Sequence, residues 1–523
     1  MRIIHIFLLL LLFCASVFAE QVQPTIENDE PQRNHLLYKV EFQADASSAK
    51  TPLWLNANRY GLSSLDKRNG YVRAALLKPL EVDSLSKFAL GYGVDVALPY
   101  HYTSDFVVQQ AFVEARWLHG VLSVGSKEYP MELKNNRLSS GSQTLGINAR
   151  PVPQVRLALH DYWTVPFTKG WLHLKGHVAF GKMTDDNWQK DFTACKKKYV
   201  EDVLYHSKAG YLKIGNDDTF SPFSLEFGLE MAAQFGGTSY MPDGEGNMVK
   251  LKNKVGLRAF WNAFVPGGAD ANEKEYKNIE GNQLGSWLIR ANWDAELWRL
   301  SLYVDKYFED HSAMFQVDYD GYGKGPDWDV RKKNRYLLYD FKDMLLGMEL
   351  TVKYGSWIKG LVLEYLYTKY QSGPIYHDHT PGISDHIGGL DNYYNHYIYP
   401  GWQHWGQVIG NPLYRSPLYN KNGMIAVEDN RFVAFHLGIE GQPSDRLSYR
   451  VLASWQEGLG TYADPYTKKH HNLSLMVEGC YAFEGKWGHG WTVKGAYGMD
   501  CGHILGHNYG FQLTLTKTGW LHL

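Results

Sequence analysis

Beyond residue 19 the chain has no run of eighteen or more apolar residues, so no helix of the mature protein is built to cross a bilayer. Cysteine is scarce: Cys14 sits in the leader, and only Cys195, Cys480 and Cys501 lie beyond it. That odd, widely spaced set matches no zinc spacing and allows at most one disulfide, so no disulfide framework underlies the fold. Charge of one sign is missing too. A net charge of −2 lacks the footprint of nucleic-acid binding or of a polybasic membrane anchor. There is no G-x-S-x-G, no H-E-x-x-H and no Gly-rich phosphate loop, so no catalytic residue, metal ligand or cofactor is assigned. Asp185-Asp186 and Asp217-Asp218 read as solvated turn residues. A glycosidase-like carboxylate pair is a matter of separation in space, which the sequence does not carry.

What is present begins with an export signal over residues 1–19. Arg2 supplies a positive start, Ile3 to Phe13 an apolar stretch, and Val17 and Ala19 the −3 and −1 positions before Glu20. Cys14 raises a lipoprotein alternative, which Phe13 makes a poor fit. Residues 20–35 read as a short periplasmic lead-in, and 36–523 as one unit.

That unit alternates with a period of two from end to end. Phe88, Leu90, Tyr92, Val94, Val96 and Leu98 oppose Lys87, Gly91, Gly93 and Asp95. Leu225, Phe227, Leu229 and Met231 oppose Glu226, Gly228 and Glu230. The pattern returns at 346–354, 433–440, 473–483 and 511–516. Alternation alone suits a soluble sandwich as well as a membrane barrel, because it does not say which face meets water. Strand length favours the barrel: several runs cover about nine to thirteen residues, and roughly 9–11 cross a membrane at a tilt. Aromatics are abundant at 15%, and Trp117, Trp293, Tyr354 and Tyr367 stand at strand ends, where an interfacial girdle lies. The negative mean hydropathy of −0.37 is no objection, since only alternate residues of a barrel wall face lipid.

Short turns at 118–120, 293–295 and 443–445 alternate with long connections at 127–153, 182–202, 236–254, 265–284, 305–342 and 369–430. The expectation is an all-β transmembrane antiparallel barrel of about eighteen strands, with sixteen or twenty as alternatives. Its long loops belong to one rim. Glu226, Glu230, Arg290, Arg299, Glu349, Lys353, Glu364, Glu440 and Glu478 would point into the lumen, where mixed signs favour mutual pairing over a selective channel.

The most unusual stretch is 376–419, which interleaves Tyr and Trp with His, Asn, Gln and Asp. Three readings compete. Its histidines suit a transition metal, but without helical or strand spacing. Its rings beside amides suit sugars, with Tyr393, Tyr394, His396, Trp402, His404 and Trp405 as the polysaccharide-binding candidates. The third reading is a loop packed on itself inside the lumen.

The Ser139-Ser140-Gly141-Ser142 to Asn148-Ala149-Arg150-Pro151-Val152-Pro153 stretch and Trp405-Gly406-Gln407-Val408-Ile409-Gly410-Asn411-Pro412-Leu413 resemble the capsule-assembly Wzi family, over nearly the whole mature chain. The resemblance implies an eighteen-stranded, largely occluded outer-membrane barrel acting as a lectin for capsular polysaccharide. It assigns no site residue. The expected function is therefore a non-enzymatic barrel, monomeric, in the cell outer membrane. Its expected partners are capsular or extracellular polysaccharide and outer-membrane lipid and lipopolysaccharide. The alternatives are a substrate-specific porin and an outer-membrane hydrolase.

Overall fold

The computed structural model describes residues 35–522 other than 81–86, 217–220, 254, 266–280, 310–316, 319–320, 323–324, 328, 333–335, 338–340, 378–385 and 486–487. The export signal and nearly all of the 20–35 lead-in lie outside the described residues.

Strands come first in hairpin order: β1 (His35–Ser47), β2 (Arg68–Lys78), β3 (Phe88–Tyr100), β4 (Val107–Trp117), β5 (Gly120–Ser126) and β6 (Gln154–Thr164). They continue with β7 (Leu172–Lys182), β8 (Leu204–Ile214), β9 (Phe223–Phe235), β10 (Asn282–Asp294), β11 (Trp298–Glu309) and β12 (Met344–Val352). The last six are β13 (Gly360–Tyr367), β14 (Phe432–Gly441), β15 (Leu447–Gly460), β16 (Pro465–Ala482), β17 (Trp491–Gly502) and β18 (Asn508–His522). Each pairs antiparallel with its chain neighbours, and β1 pairs with β18 from His35↔His522 to Ser47↔Gly510. The 18-stranded sheet thereby closes and has no free edge.

Exposure settles which face is which. On β18 Phe511 and Leu513 are 62% and 58% exposed, whereas Gln512 and Thr514 are 4% and 3%. On β3 the apolar Phe88, Leu90, Tyr92, Val94 and Leu98 are exposed, while Gly91, Gly93 and Asp95 are buried. An apolar outside over a polar inside is the inverse of a soluble sandwich and is the wall of a membrane barrel. Trp117, Trp293 and Tyr354 stand exposed near the rim that holds the termini, as a girdle requires.

Both ends of the sheet, His35 and His522, lie at one rim, with the turns 118–119, 295–297 and 442–446. The connections 48–67, 127–153, 183–203, 236–281, 310–343 and 368–431 all leave the opposite rim. Two expected boundaries change. The loop placed at 305–342 starts at 310, because β11 runs on to Glu309. The two connections placed at 236–254 and 265–284 are one, which holds a short hairpin, Thr238–Pro242 with Met248–Lys252, and then a helix where a wall strand was expected: α3 (Leu257–Phe264), after α1 (Leu53–Asn56) and α2 (Trp188–Phe192).

Helix α3 packs on the outside of the wall. Phe260, Ala259 and Ala263 meet Phe180, Leu204 and Phe235, which point outward on β7, β8 and β9. Two polar side chains that alternation also directs outward are covered by it. The ring of His206 stacks on Phe180 at 4.3 Å, and Lys208 donates to the helix-end carbonyls of Ala263, at 3.4 Å, and Phe264. Cations suit that end of a helix.

Candidate functional site

The lumen is filled by far-rim segments, 48–67, 127–153 and the 391–431 part of the connection 368–431, which fold inward against the polar face of the strands. Segment 127–153 is shaped by its own side chains first. Asn135 Oδ1 accepts from the amides of Arg137 and Leu138, both at 2.9 Å, an Asx turn that reverses the chain. Gly141 follows at φ 137°, a conformation that favours glycine. The turn delivers Ser139 Oγ and the Ser140 amide to Glu364 on β13, at 2.6 and 2.7 Å. Tyr303 on β11 donates to the same carboxylate at 2.5 Å. Asp305, two residues on, pairs with Lys134 and accepts from the Gln143 amide at 3.1 Å.

Segment 368–431 lies over the first. The Tyr393 hydroxyl donates to Asp343 at 3.0 Å, and the Tyr394 amide to Glu309 at 2.6 Å. Their rings meet Tyr307 edge-on at 4.8 and 5.6 Å, and Tyr394 lies 4.1 Å from Tyr414. The Trp402 indole donates to Thr144 O at 3.3 Å. A Cβ at Gly410 would sit 2.0 Å from the Tyr394 hydroxyl, so only glycine lets these two turns close. His404 bonds the Arg150 carbonyl through Nδ1 at 2.8 Å and accepts the Thr184 amide at Nε2, at 3.1 Å. Those partners assign the Nδ1–H tautomer, and burial pushes the imidazole down to about 4, so it stays neutral. Trp405 is half-buried with the Arg150 guanidinium 4.1 Å over its ring.

The two stretches that carry the family resemblance therefore lock together inside the barrel. Asn411 donates to Ser140 Oγ and Gly141 O at 3.1 and 2.9 Å, and Asn148 donates to Val408 O at 2.9 Å. Their composition is explained by mutual packing.

Of the six sugar-binding candidates, Tyr393, Tyr394, Trp402 and His404 are buried and offer no ring face at the surface. The reason is physical: Tyr393, Tyr394 and Trp402 each lie against another aromatic ring, and each polar atom named above already has a partner. These four behave as the self-packed loop described among the sequence readings. His396 and Trp405 keep partial exposure. His396 Nδ1 accepts the amides of Ile398 and Tyr399 at 3.1 and 3.3 Å, and Lys198 donates to its carbonyl at 2.8 Å. Neighbouring Tyr397 is 78% exposed. Among the described residues no group of three or more His, Cys, Asp or Glu comes together as metal ligands would.

The luminal charges pair as their mixed signs suggest. Arg290 meets Glu349 at 2.8 Å, Arg450 meets Glu478 at 3.1 Å, and Arg137 of the plug meets Glu440 at 2.7 Å. Glu226 accepts from Tyr162 at 2.7 Å, and Glu230 from Tyr211 at 2.7 Å. Lys353 and Arg299 are different: both are well exposed and pair with Asp294 at the near rim, outside the filled lumen. Sequence reasoning missed Tyr303, Asp305, Tyr307 and Glu309, the column on β11 that anchors both inner segments.

A second aromatic cluster crowns the far rim. Tyr466 stacks on His470 at 4.0 Å, His470 approaches His503 at 5.7 Å, and the Arg431 guanidinium lies 3.5 Å over Tyr462. Glu457 bridges Lys369 and Lys469 beside them, at 2.7 and 3.0 Å.

No family model and no curated protein matches the chain. Among solved structures it resembles Wzi of Escherichia coli, an outer-membrane protein involved in group 1 capsule assembly and a carbohydrate-binding β-barrel. That likeness has TM-score 0.52 at 12% identity and covers 91% of this chain and 83% of that one. The chain has a Wzi-like fold. Looser likenesses are Acinetobacter baumannii OccAB4 (TM-score 0.44, 8% identity, 95% of this chain and 100% of that one) and Pseudomonas aeruginosa OprD (TM-score 0.44, 8% identity, 93% and 95%). The Wzi-like fold is an outer-membrane barrel fold, and in such barrels short turns line the periplasmic rim and long loops the extracellular one.

Proposed function

We propose that this chain is a non-enzymatic, polysaccharide-binding barrel that holds capsular or other extracellular polysaccharide at the outer-membrane surface. The observation that supports it best is the filled lumen. Tyr394, Trp402, Tyr414 and Asn411 are buried where a channel would need water, and that leaves the extracellular rim as the working surface. There Tyr462, Tyr466, His470 and His503 offer flat rings next to Arg431, Glu457 and Lys469. Rings stack on the apolar faces of sugars while charged and amide groups bond their hydroxyls. In this reading Trp405 and His396 contribute from the plug's outer edge. Tyr393, Tyr394, Trp402 and His404 hold that edge in place from below.

The test is a strain lacking the chain, complemented with wild type or with the Tyr466→Ala/His470→Ala variant. The expected result is loss of attached polysaccharide and its appearance in the medium, with rescue by wild type alone. The variant should keep heat-modifiable migration on gels. Unchanged attachment in the deletion strain would sink the reading.

A further inference from the structure

Beneath the plug, toward the periplasmic rim, lies a cavity of about 180 Å³ lined by Trp54, Arg59, Arg137, Arg450, Glu478 and Lys494. Its charge balance is lopsided. Four cations face one carboxylate inside the cavity, Glu478, while Glu440 neutralises Arg137 from its margin at 2.7 Å. Glu478 is shared between Arg450, at 3.1 Å, and Lys494, at 3.9 Å. Arg450 spends one further nitrogen on the Arg137 carbonyl at 3.1 Å. That leaves Arg59 only the longer-range charges of Glu478 and Asp45, and Lys494 those of Glu478 and Glu41.

The hydrogen-bond balance points the same way. Three buried nitrogens that lack any acceptor belong to residues of this one cavity: Trp54 Nε1, Arg59 Nη2 and Arg450 Nε. All three are donors, and one acceptor of the cavity, Asn58 Oδ1, lacks a partner as well. The donors come from three separate parts of the chain, namely helix α1, the loop after it and strand β15. Buried donors are normally satisfied, and a cluster of unsatisfied ones in a positively charged cavity fits a ligand rich in acceptors. The volume holds about six waters' share of liquid, enough for a small oxyanion with some solvent but not for a sugar chain.

We propose that this cavity binds a small oxyanion group, phosphate or carboxylate, through Arg59, Arg450, Lys494 and the Trp54 indole. The site faces the periplasmic rim and is independent of polysaccharide binding at the outer one. Full-length protein purified in detergent without phosphate would be titrated calorimetrically with inorganic phosphate and, separately, with glucuronate. Ionic strength would be held constant with chloride. Saturable binding of one anion per chain is expected, and whichever anion binds more tightly identifies the group. Trp54→Phe, which removes only the N–H, should weaken it about fivefold, and Arg59→Gln more than tenfold. Trp261→Phe, on the outer wall, should leave it unchanged. Two results would overturn the proposal: no saturation with either anion, or equal binding in wild type, Trp54→Phe and Arg59→Gln while all migrate as folded barrels.

Discussion

At the scale of single residues, the burial of Asp429 predicts a pH dependence for the plug. It is buried in segment 368–431, where its carboxylate accepts the Gly460 amide at 3.1 Å and the Gln456 amide group at 3.3 Å. Burial outweighs these donors and the nearby Arg415, and pushes the group from the ordinary 3.8 up to about 7. The folded loop therefore holds a proton between about pH 4 and 7 that the unfolded loop has released. Stability from this group is highest at low pH, falls as pH rises through that window, and is flat above it. The change is at most about 4 kcal/mol. Protease protection of the 368–431 segment should thus be stronger at pH 5 than at pH 8. Asp429→Asn, neutral throughout, should be protected about equally at both. A wild-type protein equally protected at both pH values would show that Asp429 does not titrate this way.

At the scale of elements, the wall was far easier to read from sequence than what it encloses. Alternation predicts strands wherever one face is uniformly apolar, and β3, β9, β14 and β18 follow it. It ends too early on β11, because Lys306 falls on the outward face where an apolar residue is expected. Lys306 is nonetheless 2% exposed. Asp305, Tyr307 and Glu309 fall beyond that expected boundary, although with Tyr303 their residue types are those of a luminal anchor. The inward fold of 127–153 and 368–431 depends on contacts between residues more than 200 positions apart, such as Asn148 with Val408. No local pattern carries such a pairing. Helix α3 was invisible for a related reason: its apolar face serves an outer wall that is itself apolar. Trp261 and Leu257 are 61% and 92% exposed on its free side. That side should rest at the lipid interface, as amphipathic helices do. Brominated lipids should quench wild-type fluorescence measurably more than that of Trp261→Phe, and equal quenching would place the residue in water.

At the scale of the molecule, the filled lumen sets the electrical behaviour. Purified wild-type protein in a planar bilayer should show no large, stable single-channel current. Deleting residues 392–430 should open one, because it removes Tyr393, Tyr394, Trp402 and Tyr414 from the pore. Large steady currents from the wild type would instead favour the porin alternative. The seam of the barrel adds a constraint on assembly. Helix α1 lies next to the strands that close the cylinder. The Leu53 amide donates to Asp500 on β17 at 3.2 Å, the Lys50 amide to Asn508 on β18 at 3.1 Å, and Gln512 on β18 to Leu55 O at 3.3 Å. The first loop thus acts as a latch that the last two strands engage. A chain with its seam still open lacks these three bonds and keeps only those from the stopper's other segments, such as Tyr60 N to Ile147 O at 2.7 Å, so sealing the wall also tightens the cork.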